Sequence, residues 1–230
     1  MTSIVMVLSY AVPSFIYIVQ YYSFYAKPNE VKRMWKDIHD CWNLIKNKAE
    51  RDIMRQYASS GELHSILIAL SITMSIALYI FLELMPTLLD IIFPLNETRP
   101  RELHALTEYF VDEKRYYYAI LCHWLMGLCF GGFVGMATST FQIVYFQHIY
   151  GLLKIASYRI EHSLDKYVLC NSIQEANATI QNISVAVNMH RRALEYSEFF
   201  MVTFAPTFFI IVIISVASLS LNLFRVSYFS

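Results

Sequence analysis

Charged residues are absent from a long part of this sequence. Between Tyr116 and Ile149 there is no Asp, Glu, Lys or Arg, whereas about 20 apolar residues suffice to cross the ~30 Å hydrocarbon core of a bilayer. The stretch therefore predicts a membrane helix with length to spare. In the whole chain of 230 residues only 16% are charged and 57% are hydrophobic, a balance too apolar for an ordinary soluble domain.

Catalytic and metal-binding patterns are also lacking. The sequence has no H-E-x-x-H, G-x-S-x-G or P-loop pattern, and its four cysteines form no C-x-x-C pair. We therefore expect neither an enzyme nor a cofactor or metal. Cys122 and Cys129 are interpreted as small core residues of the apolar helix. Basic and acidic residues both number 18, so net charge predicts no nucleic-acid partner.

The apolar runs predict an all-α, multi-pass transmembrane bundle. Four spans are expected, at about 1–25, 63–93, 116–149 and 199–224. The helical pattern of the third span continues through Lys154 and Glu161. Segment 26–62 contains an amphipathic helix with apolar residues at three- and four-residue steps. Packing of that helix on the protein's own cytoplasmic part is favoured over a position on the lipid surface.

The distribution of basic residues predicts the orientation. Segments 26–62 and 150–198 hold 13 of the 18 Lys and Arg residues, which places both in the cytoplasm and the loop 94–115 outside. Asn96 begins a glycosylation sequon in that outer loop, so it is expected to be modified. The sequons at Asn177 and Asn182 fall on the cytoplasmic side and are expected to be silent.

Glycines of the third span form a possible packing seam. Gly127, Gly131 and Gly135 make two overlapping G-x-x-x-G patterns, and small residues at this spacing let a neighbouring backbone approach closely within a membrane. We therefore predict helix packing at these three positions.

Five short blocks of the sequence are specific in their order and spacing. The blocks are PLNETRPR at 94–101, TEYF at 107–110, YFQH at 145–148, IASYRIEH at 155–162, and HRRA with EYSEF within 190–199. Together they resemble insect odorant receptors, most closely those of ants, bees and wasps. The resemblance covers essentially the whole chain.

The resemblance implies a seven-helix protein of the plasma membrane, inverted relative to G-protein-coupled receptors. Such proteins assemble with a shared co-receptor as tetrameric ligand-gated cation channels. The 230 residues would then be a partial receptor domain covering helices two to five. The pore-lining seventh helix would lie outside them, so no conduction is expected from these residues alone. A gustatory-type receptor and a small-solute transporter are the alternatives, although the sequence has no internal repeat of the kind that transporters show.

A receptor for small hydrophobic or volatile molecules needs an apolar, aromatic-lined cavity with few polar groups. The outer halves of the first three spans offer candidate ligand-binding residues, and plain packing within the bundle is the alternative for each of them. A carboxylate within a span costs free energy unless it faces a cavity or a partner. For Glu83, which lies near the outer end of its span, a position that reaches the lipid headgroups is slightly favoured. The candidates are Tyr10, Tyr79, Glu83, His123, Trp124, Met126 and Phe130.

Overall fold

The computed structural model describes residues 2–93, 113–168 and 172–229, and nearly all of them are helical. No strand occurs in these three ranges. The all-α class predicted from the apolar runs is therefore confirmed. The helices are α1 (Thr2–Tyr25), α2 (Pro28–Leu44), α3 (Lys48–Ile92), α4 (Glu113–Val168) and α5 (Ile173–Phe229).

Local sequence signals explain where three of the helices begin. Pro28 occupies the first turn of α2, where its missing N–H costs nothing. Asn47 precedes α3, and its Oδ1 accepts a hydrogen bond from the amide of Ala49 at 3.1 Å. Ser172 precedes α5, and its hydroxyl accepts one from the amide of Glu175 at 3.2 Å. Ser172 and Glu175 have the spacing of a capping box.

Three helices of the described ranges are long and apolar enough to cross a membrane. They are Lys48–Pro86, Arg115–Asp165 and Ile173–Ser227, and they overlap the second, third and fourth predicted spans. The first predicted span corresponds to α1. The bounds of all four spans within a membrane stay predictions. The last two helices are longer than the apolar runs, because the polar segments after residue 150 and before residue 199 continue in helical conformation.

The chain forms two compact units. Unit 1 comprises Met1–Ser23, Leu67–Thr138 and Thr207–Ser230, and unit 2 comprises Phe24–Ile66 and Ser139–Pro206. Helices α3, α4 and α5 contribute residues to both, and α1 belongs to unit 1 except for its last two residues. Unit 1 holds most of the predicted membrane spans, and unit 2 holds most of the polar segments predicted to be cytoplasmic.

Unit 2 is organised around aromatic side chains from α1, α2, α4 and α5, with Phe24 of α1 in contact with Phe204. Phe200 contacts Tyr145 in a stacked arrangement and Phe204 in a tilted one, with centroid distances of 5.4 and 5.0 Å. Met34 of α2 is completely buried. The ring centroids of Trp35, on the same helix, and Phe141 are 5.7 Å apart. The amphipathic helix thus packs on the protein.

Candidate ligand site

Unit 1 brings an aromatic pair together from α1 and α4. The rings of Tyr10 and Trp124 meet edge to face, with centroids 6.2 Å apart and planes at 77°. Offset or edge-on contacts of this kind are the favoured geometry for aromatic rings. Two residues that the sequence suggests for a ligand site, 114 positions apart, are therefore neighbours.

Two further candidates lie on α3. Tyr79 interacts electrostatically with Glu83, one helical turn later, and with Tyr10 and Tyr117. The hydroxyl of Tyr117 donates a hydrogen bond to the backbone carbonyl of Glu83 at 3.2 Å. Glu83 itself is only 2% exposed. The expectation that Glu83 reaches the lipid headgroups is therefore wrong, because the side chain faces the interior of unit 1.

The remaining candidates lie on other faces of α4. Met126 and Phe130 are 60% and 65% exposed, and His123 is also exposed. Each residue of an α-helix is rotated by about 100° from the one before it. Met126, two residues after Trp124, is therefore about 200° around the helix from it, and Phe130, six residues after, is about 240° around. Neither shares the face of Trp124. Cys122 and Cys129 are exposed as well. Their interpretation as core residues is therefore wrong.

The glycines of α4 face different neighbours. A Cβ added at Gly131 would lie 2.8 Å from Cδ2 of Tyr17 on α1, and one at Gly135 would lie 3.4 Å from the same ring. A Cβ at Gly132 would meet Ile76 of α3 at 3.0 Å, whereas one at Gly127 would have nothing within 4 Å. Close packing against α1 thus occurs at Gly131 and Gly135.

One residue of this region was not among the sequence candidates. Arg225 of α5 lies against α1, where its guanidinium donates to the hydroxyl of Ser9 and stands over the ring of Tyr10. In the sequence Arg225 is only one of the few outer basic residues. A single charged residue at the end of an apolar run carries no signal of which helix it contacts.

Unit 2 contains a buried ion pair. Arg159 donates to both carboxylate oxygens of Glu50, from Nε and Nη2, each at 2.7 Å. The Glu50 side chain is 6% exposed. A guanidinium and a carboxylate interact most strongly through two parallel hydrogen bonds. This pair therefore links α3 to α4.

A cavity of about 280 Å³ lies beside this pair, between α2, α4 and α5. On its wall the thiol of Cys41 is 3.6 Å from the hydroxyl of Tyr196. Burial raises the pKa of the Cys41 thiol. The lining residues are Cys41, Leu44, Leu152, Arg159, Val185, Asn188, Met189 and Arg192.

Comparison with known proteins identifies the family. The sequence pattern of the 7tm odorant receptor family matches residues 1–230, the whole chain. The chain therefore belongs to that family, as its five sequence blocks predict, and is a chemosensory receptor of the membrane. The family consists of receptors and ion channels and is not an enzyme family. No curated protein matches the chain at a significant level.

Proposed function

We propose that this chain is an odorant receptor subunit that binds small hydrophobic or volatile molecules in unit 1. The observation that carries the proposal is the edge-to-face contact between the rings of Tyr10 and Trp124, which joins α1 and α4. Aromatic surfaces supply most of the affinity for a small apolar ligand, and the few polar groups orient it. Glu83 and the Tyr79 hydroxyl are such groups.

Ligand binding acts on a channel by differential affinity. A ligand that binds an open state more tightly than a closed one shifts the population toward the open state, and no covalent step is needed. The finer proposal, which rests on the family resemblance, is that the receptor gates a cation channel in the plasma membrane together with a co-receptor.

Binding can be measured with the chain itself. It has three tryptophans, so Trp35→Phe with Trp42→Phe leaves Trp124 as the only indole. In lipid nanodiscs, titration with octan-1-ol, 2-heptanone and methyl octanoate is expected to change Trp124 fluorescence saturably for at least one of them. Absence of any saturable change with all three would contradict the proposed function.

Tyr79→Ala sharpens the test. Loss of one ring from a buried pocket costs on the order of 1–3 kcal/mol, or roughly tenfold to a hundredfold in affinity. Phe133→Ala is the matched control, because Phe133 is 67% exposed on α4. Equal affinity in the two variants would show that Tyr79 only packs the bundle.

Gating requires a separate experiment. The receptor is co-expressed with the co-receptor, with and without the further helices that the resemblance implies. We expect odorant-evoked cation current only when those helices are present, and we expect Tyr79→Ala and Trp124→Ala to raise the half-maximal concentration. A uniform loss of current at unchanged half-maximal concentrations would place the ligand elsewhere.

A further inference from the structure

The guanidinium of Arg225 is held in place within unit 1. Nη1 donates to the Ser9 hydroxyl at 3.1 Å, and Cζ lies 5.3 Å from the centroid of the Tyr10 ring. The same ring also contacts the indole of Trp124. Arg225 therefore lies next to the aromatic pair on which the proposed function rests.

The charge of this guanidinium is poorly compensated. Ser9 occupies one of its five N–H donors, and in the described ranges no carboxylate lies within ion-pair distance of it. Its side chain is only partly exposed. A cation withdrawn from water without an anionic partner is costly, so an anion placed there gains more than it would at a free surface.

The buried carboxyl group of Glu83 belongs to a different part of unit 1, on α3. Tyr79, one helical turn before Glu83, interacts electrostatically with both Glu83 and Tyr10. The guanidinium of Arg225 therefore lies at the α5 side of the aromatic pair, away from the Glu83 side chain on α3. An anionic group of a ligand is favoured on the side of Arg225.

We propose that the receptor prefers apolar ligands that carry a carboxylate, and that Arg225 is the residue that selects them. This inference rests on the proposed function. The planar guanidinium matches a carboxylate with two parallel hydrogen bonds, while the apolar chain of the ligand lies on Tyr10 and Trp124. Ser9 acts as a positioning residue, because its contact restricts the guanidinium before the ligand arrives.

The alternative occupant is a lipid phosphate. Long basic side chains near the ends of membrane helices extend toward headgroups, and a phosphate offers the same chemistry as a carboxylate. The contacts with Ser9 and Tyr10 favour the ligand, since they direct the side chain along α1. Nanodiscs of phosphatidylcholine and of phosphatidylglycerol distinguish the two, because an anionic lipid that occupies Arg225 abolishes the preference for acids.

The test uses compounds of one chain length with Trp124 as the reporter. Octanoate, methyl octanoate and octan-1-ol are titrated against the single-tryptophan protein in phosphatidylcholine. We expect octanoate to bind at least about tenfold more tightly than its ester, as charge-assisted hydrogen bonds allow. Arg225→Gln should remove this advantage, because it weakens the binding of octanoate far more than that of the ester. Arg225→Lys should retain part of it, and Ser9→Ala should reduce it a few-fold.

Arg191→Gln, which removes an exposed cation of unit 2, is the matched control and should change nothing. An unchanged octanoate affinity in Arg225→Gln, an equal loss for acid and ester, or a preference that is absent in phosphatidylcholine overturns the inference while leaving the proposed function intact. If neither these three compounds nor 2-heptanone perturbs Trp124 in the single-tryptophan protein with Arg225 intact, both proposals fail.

Discussion

The two units bury different kinds of side chain. In the described ranges the large side chains that are completely buried all belong to unit 2, among them Tyr145, Phe200 and Met54. Unit 1 nearly buries a few large side chains, such as Tyr117 and Leu121, but it also buries Gly131, Ser9 and Thr138, and many large apolar side chains of the same helices are exposed.

The difference in buried side chains between the two units indicates that unit 1 is surrounded by lipid and unit 2 by water. Water drives large apolar side chains inward, which explains the aromatic core of unit 2. Lipid tails are as apolar as leucine, so helices within a membrane associate through close contact at small residues and through polar groups. Unit 1 follows this second pattern. Helices α3, α4 and α5 each contain both patterns, one after the other along the chain.

Glycosylation tests the side of the membrane on which unit 2 lies. Each sequon is expected to be either modified or unmodified, so this is the largest expected effect. Asn177 and Asn182 are exposed in α5, so burial would not protect them from modification. We expect no mobility shift from either when single Asn→Gln variants are treated with a glycosidase. Asn96, which lies outside the described residues, is expected to account for the whole shift. A shift lost with Asn177→Gln would reverse the orientation.

Breaking the Glu50–Arg159 ion pair of unit 2 should give the largest change in stability. Arg159→Leu leaves the Glu50 carboxylate buried without its partner, a change that costs about 3–5 kcal/mol. The control is Arg191→Leu, which breaks a pair with Glu195 whose side chains are 78% and 60% exposed and which is worth below about 1 kcal/mol. Thermal unfolding in detergent measures both. Equal melting temperatures for the two variants would show that unit 2 does not exclude water.

Glycine substitutions test the packing of unit 1. Gly131→Leu forces side-chain atoms into the ring of Tyr17 and should cost about 1–3 kcal/mol, as overpacking does. Gly127→Leu adds the same side chain to the same helix where nothing lies within 4 Å, and should be nearly neutral. The comparison is the melting temperature together with delivery to the cell surface. A loss of delivery in both variants would remove the distinction between the two positions.

The smallest effect concerns Asp37 of α2. Burial raises the pKa of this carboxyl above its usual 3.8, with Arg33 opposing the shift. The folded protein therefore holds the proton more tightly than the unfolded chain, so the stabilisation is present below about pH 3.8 and is lost as the pH rises through the raised pKa.

At pH 7 the charged carboxylate thus costs stability, and Asp37→Asn should raise the melting temperature slightly. Near pH 4 the gain should shrink. Asp165→Asn, which alters an exposed carboxylate, is the control. A lower melting temperature for Asp37→Asn at pH 7 would indicate that its contact with Arg33 outweighs the cost of burial.

Helices could be predicted from the sequence better than the contacts between them. Apolar runs have a length and a period, and both can be counted. The Glu50–Arg159 pair joins residues 109 positions apart, and neither residue has a local signal that names its partner. The same holds for Arg225 and Ser9.

Part of the candidate site was predictable from helix geometry alone. Trp124 and Met126 are two residues apart and lie on nearly opposite faces of any α-helix. Gly127 differs from Gly135 for a related reason, because each step of four residues drifts by about 40°. Which of these faces packs against the other helices could be seen only in the structure, since an apolar membrane helix carries apolar residues on every face.

The central claim is that the exposed apolar face of unit 1 meets lipid whereas unit 2 meets water. Phe130→Trp in a protein otherwise free of tryptophan, reconstituted in brominated phosphatidylcholine, tests it most directly. Bromine on the acyl chains quenches an indole only on close approach, so the account predicts strong quenching at position 130 and little at Trp35 of unit 2, measured alone in the same way. Equal quenching at the two positions, or stronger quenching at Trp35, would contradict it.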